Sequence, residues 1–242
     1  IMHENNQIKY RENFLNLSIF GIAMGFLEAI VVIYVRQLYY PEGFEFPLKM
    51  LPEKMILVEW IREISTIVML VIVGVISGRT FEQKFSFFIF TFGIWDIFYY
   101  VALKILIDWP SSFLTWDLLF LIPITWLGPV IAPIICSILM IFLSIIIVYQ
   151  TSKDRDFKLN KLEWTFLLAG AFTIFCTFIY DYLNIIVKNG FILKISKLTS
   201  DQKFVSIVES FTPEKFGWSA FIAGVCLILI CILSILKRKM KK

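Results

Sequence analysis

Apolar runs of about twenty residues, scarcely broken by charge, recur along this chain, and no other feature restricts its folding so tightly. Crossing a hydrocarbon layer ~30 Å thick takes about 20 helical residues, because every backbone N–H and C=O must be satisfied within the segment. Candidate spans lie at 13–38, 55–78, 85–107, 129–150, 163–187 and 217–236. Composition agrees, with 59% hydrophobic and 17% charged residues against roughly 45–50% and about 25% in soluble domains. Strands of a membrane barrel would alternate apolar and polar residues over about ten positions, and no such alternation is visible. The expected fold is all-α, a polytopic transmembrane helix bundle forming one domain over 1–242.

The first span follows Lys9, Arg11 and Glu12 and stops at Tyr39-Tyr40-Pro41, where aromatic rings suit the headgroup boundary and proline blocks further helix. It is too long for a cleavable signal and lacks a small-residue cleavage site, so it is expected to act as its own insertion signal. Segment 109–128 is apolar but short, and Pro110 and Pro123 bracket it. As a seventh span, with the N-terminus inside, it would place the loop bearing Lys153, Arg155, Lys158 and Lys161 outside together with the basic tail, against the positive-inside rule. With six spans, thirteen Lys/Arg fall in the cytoplasm (9, 11, 79, 84, 153, 155, 158, 161, 237, 238, 239, 241 and 242) and nine outside (36, 49, 54, 104, 188, 194, 197, 203 and 215). Segment 109–128 is therefore read as re-entrant or interfacial, with both termini cytoplasmic. The net charge of +4 reads as topology and not as a nucleic-acid surface. Ile/Phe/Lys-rich usage points to an AT-rich bacterial genome and so to a bacterial inner membrane.

Two further segments belong to the outer side. Residues 40–54 hold Pro41, Pro47 and Pro52 among aromatics and read as an ordered cap. Within 188–216, Phe204, Ile207, Val208 and Phe211 recur at helical spacing, as in an amphipathic interfacial helix.

An ionisable side chain inside hydrocarbon costs roughly 2.5–3.5 kcal/mol on insertion scales, so each one calls for a partner or a task. Glu28 lies at mid-depth in the first span, with Arg36 two turns beyond. Glu59, Arg62 and Glu63 share one face of the second. Asp96, Tyr99, Tyr100 and Lys104 form a stripe on the third, and Thr173, Thr177, Asp181 and Asn184 form one on the fifth. Asp108 and Asp117 come from 109–128, while the fourth and sixth spans carry mainly serine and cysteine and read as walls. Carboxylates and arginines also pair simply to fix a bundle's assembly. Here Glu28, Glu59, Glu63, Asp96, Asp117 and Asp181 outnumber Arg36, Arg62 and Lys104, and most fall in the outer half. Surplus carboxylate at low dielectric must meet protons, a cation or a basic ligand, so a polar site is expected there. Trp95-Asp96 and Trp116-Asp117 each set an indole beside an acid, an arrangement that can hold an apolar or cationic group; Trp126 follows at a span boundary.

His3 is the only histidine, which disfavours haem and His-ligated metal, and the last span has no lysine for a retinal Schiff base. Any metal would be Mg²⁺ or Ca²⁺ on oxygen ligands. Cys136, Cys176, Cys226 and Cys231 sit in apolar runs without CxxC spacing and read as small buried hydrophobes. Asn16-Leu17-Ser18 matches a glycosylation acceptor but falls within a span. No Walker, GxSxG or HExxH motif occurs.

Three readings follow. The first is an intramembrane enzyme on a lipid or isoprenoid-type substrate, with Glu59, Glu63, Asp96 and Asp117 as acid–base groups. Arg36, Arg62, Lys104, Glu28, Tyr99, Tyr100, Trp95, Trp116, Asp181 and Asn184 would line its site. The second is a small-solute or ion-coupled transporter, and the third a subunit or assembly factor binding another membrane protein. All three involve membrane lipids. A phosphatase reporter active only outside the cytoplasm should work when fused after Gly43 and stay silent when fused after Asp156 or at the C-terminus. The opposite pattern overturns the orientation.

Overall fold

The computed structural model describes residues 2–154, 156–192, 198 and 201–239, the side chains of 2–9 and 239 excepted. Arg155, Lys194, Lys197, Lys241 and Lys242, with the side chains of Lys9 and Lys239, entered the charge count but lie outside the described residues, as does most of 193–200. Among the described residues, seven helices and one hairpin run in the order α1 (Met2–Tyr39), α2 (Glu53–Ser77), α3 (Phe81–Ile107), β1 (Trp116–Phe120), β2 (Trp126–Pro129), α4 (Ile131–Lys153), α5 (Lys161–Lys188), α6 (Gln202–Val208) and α7 (Trp218–Lys239).

Five helices, α1, α3, α4, α5 and α7, are long and apolar enough to cross a membrane. Helix α2 carries Glu59, Arg62 and Glu63 in its first half and is not among the five. Its opposite face is nonetheless a continuous exposed run through Ile61, Ile64, Val68, Ile72 and Ile76. The chain thus has the build of a multi-pass membrane protein.

Local chemistry sets the helix ends. Thr80 caps α3 by accepting from the Gln83 amide, and α3 stops at Asp108, whose φ of 52° an aspartate tolerates, just before Trp109-Pro110. Asn160 and Glu163 form a reciprocal capping box at the start of α5. The Glu163 carboxylate is fully buried and also meets Ser234 (3.3 Å) and Arg238 (3.3 Å), latching α5 to the end of α7.

Contacts fix the helix directions. Phe14, Gly21 and Gly25 of α1 meet Phe87, Ile94 and Tyr99 of α3 in parallel order. Gly74 of α2 meets Lys84 and Phe88, and Ser137 and Thr151 of α4 meet Gly93 and Gln83, so both run against α3. Helices α5 and α7 are antiparallel through Gly170 and Gly224. The start of α1 and the end of α7 consequently lie at one end of the bundle, called the inner end below. There Phe14 packs edge-on against Phe87 and Phe90, and Gln83 donates to Tyr10 (2.8 Å) and Thr151 (3.3 Å) beside a smaller cavity of about 460 Å³.

Segment 109–128 starts and returns at the outer end, and does not cross. An all-α expectation misses its form, however. Trp116–Phe120 pairs antiparallel with Trp126–Pro129, a tucked-in hairpin with Asp117 0%, Leu127 1% and Val130 0% exposed at its end. Unpaired backbone has no place at membrane depth, and the hairpin ladder, buried in protein, supplies the partners. The expected amphipathic helix of 188–216 shrinks to α6, seven residues long, with Phe204 and Val208 buried against Ile185, Ile186, Phe191 and Leu48. Phe211 lies beyond its end and packs on the same cluster. With Leu48 buried among Phe44, Phe46 and Met50, residues 40–52 form a strap across the outer end beside α6.

A Cβ on Gly25 would sit 2.8 Å from the Trp95 carbonyl oxygen and 2.8 Å from the Tyr99 amide nitrogen, both backbone, whereas one on Gly217 meets only Thr177 at 3.6 Å. Gly25→Ala should therefore cost about 1–3 kcal/mol of stability, read by unfolding in mild detergent, with Gly217→Ala close to neutral. Equal stability for the two variants would contradict the α1–α3 contact.

A carboxylate-rich chamber at the outer end

The outer halves of α1, α2, α3 and α4 surround a chamber of about 970 Å³. That lies at the upper end of ordinary ligand cavities. Hairpin and strap close it from above, joined by Leu198 and Val208, while Phe178 and Tyr182 of α5 complete one wall. Leu57 and Trp60 line the chamber yet remain 55% and 41% exposed, so the wall is incomplete along α2. Helices α1 and α2 each pack along α3 but barely meet one another.

What joins α1 to α2 here is charge. Arg62 hydrogen-bonds to Glu28 across the gap and donates from Nε to Glu59 at 2.8 Å, with Glu63 3.9 Å away. Glu63 accepts the Leu121 backbone N–H on both oxygens, at 2.9 and 3.1 Å, which ties α2 to the hairpin turn. One guanidinium thus faces three carboxylates. Asp96 lies on the α3 wall and accepts from Ser137 at 2.6 Å. No arginine or lysine pairs with it among the described residues.

Arg36 occupies a separate cage. Its guanidinium carbon lies 4.3 Å from the centre of the Phe44 ring and 3.9 Å from that of Trp109, and Nη2 donates to Asp117 at 2.9 Å. Tyr100 (3.3 Å) and the Leu118 amide (2.8 Å) also donate to Asp117. Arg36 Nη1 and the Nε1 of Trp95, both buried in chamber-lining residues, have no hydrogen-bond acceptor.

The chamber therefore gathers Glu28, Arg36, Glu59, Arg62, Glu63, Trp95, Asp96, Tyr99 and Tyr100. Asp117 stands behind it as the counter-charge of Arg36. Four other expected members lie elsewhere. Lys104 turns to Asp108 (2.6 Å), whose exposed carboxyl it holds below the usual range; Asp108 thus faces away from the chamber. Trp116 packs on Phe216, and Asp181 and Asn184 lie on α5 outside the lining. The sequence pairing of Glu28 with Arg36 is also replaced, each finding a partner on another element. Helix α4, read as a plain wall, supplies Ser137, the one polar residue among Ile134–Phe142 apart from Cys136. Phe92, Phe120 and Phe178 were missed because buried aromatics look alike in sequence whether they line a cavity or fill a core. Among the described residues no group of three His, Cys, Asp or Glu could hold a metal ion, so the Mg²⁺ or Ca²⁺ option finds no donor set there.

Fold and chamber together define a multi-pass helical membrane protein with an acidic, aromatic-walled cavity at one end of the bundle. No protein-family model matches the chain, and neither a curated protein nor a solved structure is similar to it.

The buried Arg36–Asp117 pair yields a direct test. Asp117→Asn leaves a buried guanidinium without its counter-charge and should cost about 3–5 kcal/mol, whereas adding Arg36→Met should recover most of that loss. Detergent unfolding of the single and double variants gives the comparison, and an additive double variant counts against the pair.

Proposed function

We propose that this protein spans the membrane six times, α2 included, with both termini in the cytoplasm, and that its outer chamber takes a lipid-type amphiphile from the outer leaflet and acts on it. One observation carries the reading: the same cavity is walled by Trp60, Phe92, Phe120 and Trp126, edged by Glu63 and Asp96, and incompletely walled along α2. An apolar body with a polar head suits such a space. The exposed face of α2 supports its place as the sixth span, because a soluble helix would not present unbroken aliphatic surface to water.

In this reading Glu63 and Asp96 transfer protons at the head of the substrate. Of the chamber carboxylates, these two are the least occupied by arginine. Glu28 and Glu59 hold Arg62, and Asp117 holds Arg36, so these three are positioning residues. The transporter reading requires a route through the inner half, where the Phe14–Phe87–Phe90 contacts and the glycine seams close the bundle. The subunit reading requires charge on the outward surface. The larger charged cluster of the outer half, Glu28, Glu59, Arg62, Glu63 and Asp96, lines the chamber instead, and the outward faces are chiefly aliphatic and aromatic, with the exposed Lys104–Asp108 pair answering itself.

Protein purified in mild detergent should carry a bound amphiphile identifiable by mass spectrometry, and Cys136→Trp, which fills the chamber, should abolish its retention. With that amphiphile as substrate, Glu63→Gln and Asp96→Asn should each lower kcat about 10²–10⁴-fold while KM changes little. A lipid that is retained but never converted would leave a binding protein in place of an enzyme.

A further inference from the structure

The chamber's charges do not balance, and the imbalance bears on the head of its ligand. Arg36 is matched by Asp117 behind it. Arg62 is shared among Glu28, Glu59 and Glu63. Neither arginine has a full charge left for an anion. Asp96 faces the cavity with a hydroxyl as its hydrogen-bond partner. The lining therefore offers a surplus of carboxylate, and a positive group placed among Glu63 and Asp96 would answer it. A bare metal ion does not fit that description, because among the described residues no three His, Cys, Asp or Glu side chains gather to hold one.

A second observation is independent of the acids. Trp95 is 4% exposed and Arg36 8%, and among the described residues neither the Nε1 of Trp95 nor the Nη1 of Arg36 has an acceptor. Buried donors left unpaired are rare and costly, and both belong to residues that line this cavity. They call for acceptor oxygens on the same ligand. Aromatic faces at Phe92, Trp95 and Phe120 add a surface that attracts cations.

Resting on the amphiphile reading above, we propose that the bound head carries an ammonium group together with hydrogen-bond-accepting oxygens, as a zwitterionic aminophospholipid does. The ammonium donates to Glu63 and Asp96, and the oxygens accept from Trp95 and Arg36. An anionic head without an amine meets only carboxylates where the ammonium would sit.

The full-length protein is reconstituted with an equimolar mixture of phosphatidylethanolamine, phosphatidylglycerol and diacylglycerol of identical chains, and the retained lipid is quantified after purification. Phosphatidylethanolamine should be enriched about tenfold or more over each competitor, the discrimination one charge-assisted hydrogen bond provides. Asp96→Asn and Glu63→Gln, checked for monodispersity, should reduce that enrichment. Equal or greater retention of phosphatidylglycerol, or of diacylglycerol, overturns the amine head and leaves the amphiphile reading standing. Retention of no lipid removes both. Free ethanolamine is a separate arm: displacement at millimolar concentration supports amine recognition and assigns it to a soluble source, and no displacement assigns it to the membrane lipid.

Discussion

The arrangement of the chamber depends on how closely the backbones of neighbouring helices approach one another. Helix α3 is the common partner. Gly21 and Gly25 bring α1 onto it, Gly74 brings α2, and its own Gly93 admits α4 to the Ser137 carbonyl. In a bilayer, helix association draws on van der Waals contact and interhelical hydrogen bonds, and small residues permit both. The cavity lies where α2 and α1, each packed on α3, leave space between them.

Polar chemistry then follows the opening. Four charged residues of α1 and α2, Glu28, Glu59, Arg62 and Glu63, meet across a gap that side-chain packing does not fill. Hydrogen bonds from the hairpin backbone to Glu63, and from Ser137 to one further acid, Asp96, hold both in fixed positions. At the rim, Arg36 joins the strap, the α3–hairpin connection and β1 in a single contact set through Phe44, Trp109 and Asp117. Cation, rings and carboxylate each satisfy something the others leave open.

Much of this was legible from residues alone. The five long apolar helices follow from run length, and the level of Glu28, Glu59, Arg62, Glu63 and Asp96 along the bundle follows from counting along each run. Partners were not legible. Glu28 with Arg36 is a plausible neighbour on one helix, but interhelical distances settle the pairing, and sequence spacing says nothing of those. Lys104 and Asp181 sit at the right depth on the wrong face, because a stripe read without knowing which side meets a neighbour has no direction. The hairpin escaped notice for a different reason: a short apolar run between prolines reads alike as loop, half-helix or buried strand until its surroundings are known.

Helix α2 leans on the rest of the bundle chiefly along α3, and its further ties are the bonds of Arg62 and Glu63 at the outer end and the one that Asn13 donates to the Ser77 carbonyl at the inner end. A board fastened along one edge and latched at the other deflects before the frame does. The girth of the cavity is thus governed chiefly by one helix, while its floor, built from α1, α3 and α4, keeps its shape. Molecules of different thickness can share a single floor in such an arrangement, and selection then falls on what the floor touches, with bulk a secondary matter.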